Sequence, residues 1–308
     1  MLLGVIFYLL EYTFDALRTK ILIKGTGNKL SMFECYKIVA IQVFFNLITP
    51  FSFGGQPLQV YVLKKKNIPI GSSTTVVMIK LIFGAIALFL IVIYAMLFHS
   101  GLFISIAFFK VMINVTGIIF LVIIVLFLLA LYNPRITTVI LSGFFFILFK
   151  LKVIKYPERI QQKILRHIIL ARDNFNQFMG NKFFYFITGF VLSFLMILSM
   201  IMMILCFIWG FNLFDKIGLF EGIATTAALI FITTFMPTPG SSGLGEGVFY
   251  LLYRDFIPGY LIGVLMFLWR FFAQYLTAFL GAVITAHYGM ELLSRKKIKG
   301  QTRLNKNI

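Results

Sequence analysis

Three ionisable residues stand inside apolar surroundings: Lys80 in VVMIKLIFG, Glu246 in GLGEGVF and Arg270 in MFLWRFFAQ. Deep in a bilayer such a group costs upwards of about 2.5 kcal/mol and survives mainly where it meets a partner or a wet cavity. Two cations and one carboxylate at this spacing make neither a nucleophile–base pair nor a carboxylate pair. His99, His167 and His287 are scattered with no metal-ligand spacing, and Cys35 and Cys206 lie far apart without a CxxC pattern. The chemistry on offer is therefore binding, with no metal or cofactor: the cations can hold an anion, and Glu246 can hold either Arg270 or an amino group.

Each long-span cation follows a break in the chain. TPFSFGGQPLQ, with Pro50, Gly54, Gly55 and Gln56, precedes Lys80. MPTPGSSGLGEG, with Pro237, Pro239, Gly240, Gly243, Gly245 and Glu246, precedes Arg270. Pro50 stands about 30 residues before Lys80 and Pro237 about as far before Arg270, the length of one reentrant return plus half a span.

The elements that must position these residues follow from composition. At 60% hydrophobic, 12% charged and a mean hydropathy of +0.98, the 308 residues hold more apolar surface than one soluble core can bury. The net charge of +18 lies in short loops between apolar runs, with no basic face interleaved with aromatics, so nucleic acid is excluded as a partner. The N-terminal run lacks a basic leader and a small-residue cleavage site, and reads as a retained span.

Length and flanking charge predict spans at 2–17, 72–98, 109–132, 183–211, 219–236 and 257–288, an apolar segment at 33–49, and a run at 136–149 too short to cross comfortably. The stretch 150–182 reads as a cytoplasmic amphipathic helix, with Ile160, Ile164, Ile168 and Phe175 opposite Arg159, Lys163, Arg166 and Arg172. The fold class expected is all-α polytopic membrane protein, with about 5–8 membrane-embedded helices in one domain spanning residues 1–308. Its first half covers 1–132 and its second half 183–290, followed by a basic tail at 291–308.

Lysines and arginines orient these elements. LRTKILIKGTGNK, Lys64 to Lys66, the 150–182 segment and the tail belong to the cytoplasmic side, whereas 98–101 and 211–222 are nearly free of basic residues and belong outside. Residues 33–63 must then enter and return on one side, and 219–253 must do the same from the other. The sequence thus predicts two oppositely oriented reentrant hairpins forming an inverted repeat, with a site at the midplane. Ordinary external turns are the alternative reading of both breaks. Of the remaining charges, Glu34 and Lys37 read as a local ion pair, and Glu11 and Asp15 as groups that snorkel or pair with Arg18 near the end of the first span.

The blocks ALRTKILIK, TPFSFGGQPLQVYVLKKKNIPIGSSTTVVMIKLI, FMPTPGSSGLGEGVFYLLY and LWRFFAQYLTAFLGAVI resemble, in order and spacing, the membrane region of lysylphosphatidylglycerol synthases and the stand-alone flippase-like proteins related to it. That resemblance implies translocation of an anionic or aminoacylated phospholipid, lysyl-phosphatidylglycerol in type, between leaflets. It carries the site to Pro50, Gly54, Gly55 and Gln56, and to Pro237, Pro239, Gly240, Gly243, Gly245, Glu246 and Arg270. Many relatives have an acidic residue after the first glycine pair and an arginine in the next span, where this chain has Gln56 and Lys80. The aminoacyl-transferase domain of the full-length synthases is not expected here, so the protein is expected not to be an enzyme.

The partners expected are a membrane phospholipid, held at Lys80 and Arg270, and the anionic inner leaflet along the basic segments. A homo-oligomer stays open. The expected location is the cell membrane, multi-pass, with a cytoplasmic C-terminus. The alternatives are a transporter of a small polar solute or ion, and an accessory membrane subunit of a phosphatidylglycerol lysyltransferase system.

Overall fold

The computed structural model describes residues 1–52, 54–98, 182–234 and 236–287, together with positions 117, 118, 121, 122 and 125. Apart from those five positions and residue 182, the expected span at 109–132, the run at 136–149, the amphipathic segment 150–182 and the tail 291–308 lie outside the described residues.

Helix α1, Leu2–Gly25, is longer than the sequence suggests. The basic stretch from Arg18 to Lys24 is not a loop but the second half of this helix, because Arg18 is buried at 4% exposure against other helices rather than released to a surface. Helix α2, Met32–Ile48, starts where the Ser31 hydroxyl accepts the Glu34 N–H at 3.2 Å, a side-chain cap that satisfies an orphan amide. It stops at Thr49, whose extended backbone (φ −110°, ψ 145°) is what a following proline favours.

A single 3-10 turn, Pro50–Ser52, leads into α3, Gly55–Lys65. At its far end Asn67 takes a left-handed φ of 63° while the Ile68 N–H returns to the Leu63 carbonyl, so the chain turns sharply into α4, Ile70–Phe98.

The second described stretch has its elements in a similar order. Helix α5, Phe183–Trp209, is followed by α6, Leu219–Thr234, a 3-10 turn at Pro239–Ser241, α7, Leu244–Tyr253, and α8, Gly259–His287. Helix α8 contains a π-helical turn, Phe271–Tyr275, directly after Arg270. Among the described residues, α4, α5 and α8 are long and apolar enough to cross a bilayer.

Both breaks are hairpins. Helices α2 and α3 pack on each other, and Lys66 Nζ reaches Glu34 Oε2 at 2.7 Å, so the end of α3 lies beside the start of α2. The expected Glu34–Lys37 pair is present at 3.3 Å, and Lys66 joins it from the returning helix. Helices α6 and α7 also pack together, with Tyr253 OH and Thr226 Oγ1 at 2.6 Å.

Two apolar cores flank the tips. One gathers Leu22, Ile23, Leu63, Ile68, Val76 and Phe83 at the open end of the first hairpin. The other gathers Tyr8, Ile91, Ile204, Ile217, Phe249 and Tyr253 around the second. Because α1, α4 and α5 run through both, the hairpins come from opposite ends of these helices, and their 3-10 turns touch in between.

The Glu34–Lys66 contact sets an expected labelling result. Cysteines introduced by Lys29→Cys and Lys66→Cys should react with an impermeant maleimide from the same face of the membrane, against a background of buried Cys35 and Cys206. Reaction from opposite faces would show that α2 and α3 together cross the membrane.

Candidate functional site

The two tips share a local sequence and a left-handed serine. Thr49-Pro50-Phe51-Ser52 and Thr238-Pro239-Gly240-Ser241 each form one 3-10 turn, and Ser52 and Ser241 both hold φ at 53°. The sequence pairs Pro50 with Pro237; the backbone pairs it with Pro239. A non-glycine residue in the left-handed region costs of order 1–3 kcal/mol and persists only where its surroundings over-determine it.

At the first tip those surroundings come from α2. The Gly54 N–H donates to Thr49 Oγ1 and the Gly55 N–H to Asn46 Oδ1, both at 2.9 Å. A side chain on Gly55 would collide with the Gln42 carbonyl, so α3 can sit this close to α2 only with glycine there. Gln56 follows on α3, its Oε1 buried without a partner.

At the second tip the surroundings come from Arg270, which is 2% exposed. Its Nη1 donates to the Gly240 carbonyl at 2.7 Å and to Gln274 Oε1 at 2.9 Å, and its Nη2 donates to the Ser241 carbonyl at 3.0 Å. Arg270 Nε stands 2.8 Å from Glu246 Oε1, close enough for an ion pair but not aligned as a hydrogen bond, and the guanidinium lies 4.5 Å over the Trp269 ring. Gly240, at φ 56°, packs against Leu47 of the first hairpin, and Gly245 packs against the guanidinium. Gly243 caps α7 at φ 80°, while Pro237 and Pro239 are on the exposed side of the tip. Of the two alternatives for Glu246, the carboxylate stands with Arg270, and its Oε2 is buried without a partner.

Lys80 lies elsewhere, in a cluster with Asp15 and Arg18, which the sequence reads only as a local pair near the end of the first span. Asp15 on α1 accepts from Arg18 Nε at 3.2 Å and Nη2 at 2.7 Å, as expected of a local pair, but it also stands 3.0 Å from Lys80 Nζ on α4. Lys80 donates to Gln42 Oε1 on α2 at 3.2 Å, and Arg18 Nη1 donates to Ser193 Oγ on α5 at 3.1 Å and to the Lys80 carbonyl at 3.4 Å. Lys80, Arg18 and Asp15 are 3%, 4% and 8% exposed. One carboxylate therefore serves two buried cations and leaves one net positive charge, tying four helices together between the two apolar cores.

A partly open cavity of about 40 Å³ adjoins this cluster, lined by Arg18, Gln42, Gln56, Gln59, Val77, Lys80 and Leu81. Gln59, on α3, is 1% exposed and its Nε2 has no hydrogen-bond partner. Buried polar groups are nearly always satisfied, and in a hydrocarbon setting the cost of leaving one unmet is higher still. An unmet amide beside two cations marks a place built to meet something polar.

The fold and these buried charges define the class: an all-α membrane protein in which two broken hairpins meet tip to tip beside charged groups held among transmembrane helices. The chain belongs to the family of the lysylphosphatidylglycerol synthase TM region, whose pattern matches residues 1–281. It is similar to the UPF0104 membrane protein of Archaeoglobus fulgidus, 28% identical over 316 residues that cover 97% of this chain and 90% of that protein. No solved structure matches it.

Proposed function

We propose that this protein moves an anionic or aminoacylated phospholipid between leaflets of the cell membrane, the hairpins forming an inverted repeat whose meeting tips gate a head-group path. The observation that carries the reading is the buried Asp15–Arg18–Lys80 cluster opening on a polar cavity beside the tips. Charge kept at that depth costs free energy, and a membrane protein retains it mainly along a substrate or ion path. Tail groups can stay in lipid while the head group crosses a short polar passage. Alternating exposure then requires the tips to part, and their left-handed serines mark where backbone strain is stored.

The reading is one of transport without covalent chemistry, in a multi-pass protein whose C-terminus faces the cytoplasm. Its partners are the phospholipid and the anionic inner leaflet. Family membership supports a lipid substrate, since the family's name refers to a phospholipid product.

The test is reconstitution. Purified protein in liposomes should speed the movement of fluorescent phosphatidylglycerol or lysyl-phosphatidylglycerol across the bilayer, with no transfer of lysine from tRNA to lipid. Lys80→Ala should slow movement at least about tenfold, the loss expected when a hydrogen bond to a charged group is removed. Lys64→Ala, on the exposed face of α3, should leave it unchanged. Equal rates with and without protein, together with uptake of soluble labelled anions, would replace the lipid reading by small-solute transport.

A further inference from the structure

The two long-span cations are not equivalent. Arg270 is committed: Gly240, Ser241, Gln274 and Glu246 engage all three of its nitrogens, and its flat face covers Trp269. Lys80 has three N–H donors, of which Asp15 and Gln42 use two. Arg18 has five, and four contacts to Asp15, Ser193 and the Lys80 carbonyl leave one. Both residues line the cavity, whereas Asp15 stands behind them, outside its wall. Facing them across the same space is Gln59, whose amide nitrogen has no partner although the residue is 1% exposed.

We propose that the cavity between α1, α2, α3 and α4 is an anion site for a phosphate group carrying a single negative charge, the phosphodiester of a lipid head group. In it Lys80, Arg18 and the Gln59 amide donate to the phosphate oxygens. Asp15 is the positioning residue that holds the two cations side by side. The source of the ligand rests on the translocation reading; the chemistry of the site does not.

Charge selects the class. Asp15, Arg18 and Lys80 sum to one positive charge, which a diester monoanion neutralises. A phosphomonoester dianion would leave one negative charge in a low-dielectric setting, and a head-group cation, whether choline or aminoacyl, would meet no carboxylate in the wall, so of the two lipids in the translocation reading this site takes the unmodified anionic one. The unmet Gln56 Oε1 offers an acceptor beside these donors, suited to a hydroxyl carried next to the phosphate. The site is therefore confined to the first half, and Arg270 acts on the second tip instead of on the ligand.

Binding and stability separate this assignment from a structural role for the same residues. The probes are dihexanoyl phosphatidylglycerol, dihexanoyl phosphatidylcholine and inorganic phosphate, titrated against the full chain in detergent by calorimetry. The monoanionic lipid should bind, and the choline lipid should bind at least about tenfold more weakly. Gln59→Leu should weaken binding about tenfold or more, the worth of a hydrogen bond to a charged group. The same change should leave the thermal midpoint equal or higher, because it removes a buried donor that has no partner in the free protein. A fall in the midpoint with unaltered lipid affinity would overturn the site. Preference for inorganic phosphate over the lipid, with loss in both Gln59→Leu and Lys80→Gln, would keep the site and assign it a soluble anion. Affinity lost in these variants while liposomes show no translocation would leave the site standing and remove the transport reading. Translocation that persists with affinities unchanged in both variants would do the reverse.

Discussion

Asp15→Asn should be among the most damaging single substitutions in the protein. It leaves Lys80 and Arg18, 3% and 4% exposed, facing one neutral amide with no carboxylate between them. Removing one partner of a buried pair costs about 3–5 kcal/mol, because the charge left behind is uncompensated. Lys80→Met should be far milder, since Asp15 and Arg18 then remain as a neutral pair at 2.7 Å. The double variant Asp15→Asn/Lys80→Met returns the cluster to one net positive charge, as in the parent, and should recover part of the loss. Thermal midpoints in detergent would read this order. Losses that simply add would show that Asp15 and Lys80 do not share an interaction, despite the 3.0 Å between them.

The sequence reveals the framework better than the cluster. Hydropathy places α4, α5 and α8 within a few residues, because bilayer thickness sets helix length and apolar runs of that length have few other fates, whereas α6, expected as a span over 219–236, is a 16-residue arm of the second hairpin. Proline and glycine mark both tips, since no regular helix can pass through TPFS or TPGS. The basic residues on either side of 33–63 place both ends of the first hairpin together, and the Glu34–Lys66 contact agrees.

Charge rules fail where charge is buried. Arg18, Lys20 and Lys24 read as a cytoplasmic loop because such residues usually are, whereas Arg18 is consumed by Asp15, Ser193 and a backbone carbonyl inside the helix bundle. The contact that turns a local i,i+3 pair into a triad comes from Lys80, 65 positions after Asp15 in the chain, and no spacing rule predicts it. A weaker signal was present: Gln42 in VAIQVFF and Gln274 in FFAQYL are amides within apolar runs, and each turns out to accept from the cation of its own half. Likewise the spacing pairs Pro50 with Pro237, whereas the shared Thr-Pro-x-Ser sequence and the serine at φ 53° in both tips select Pro239.

The second large effect is expected at Arg270. Its planar fork meets two carbonyls from consecutive residues of the tip, Gly240 at 2.7 Å and Ser241 at 3.0 Å, both with left-handed backbone. Arg270→Gln should therefore release the tip and leave Glu246 without its cation, and both translocation and the thermal midpoint should fall. The cost for the lost pair is about 3–5 kcal/mol where the remaining charge is buried. Arg270→Lys should not rescue it, because one ammonium cannot span two carbonyls, an amide and a carboxylate at once. Glu246→Gln should be milder, since the Glu246 side chain is 29% exposed and Arg270 keeps its Gly240, Ser241 and Gln274 acceptors. In the double variant Arg270→Gln/Glu246→Gln no charge is stranded, so its loss should be smaller than the sum of the two single losses. Strict additivity in that cycle would mean that Glu246 acts apart from Arg270, and its buried, unpartnered Oε2 would then be the atom to test against an amino group on the lipid.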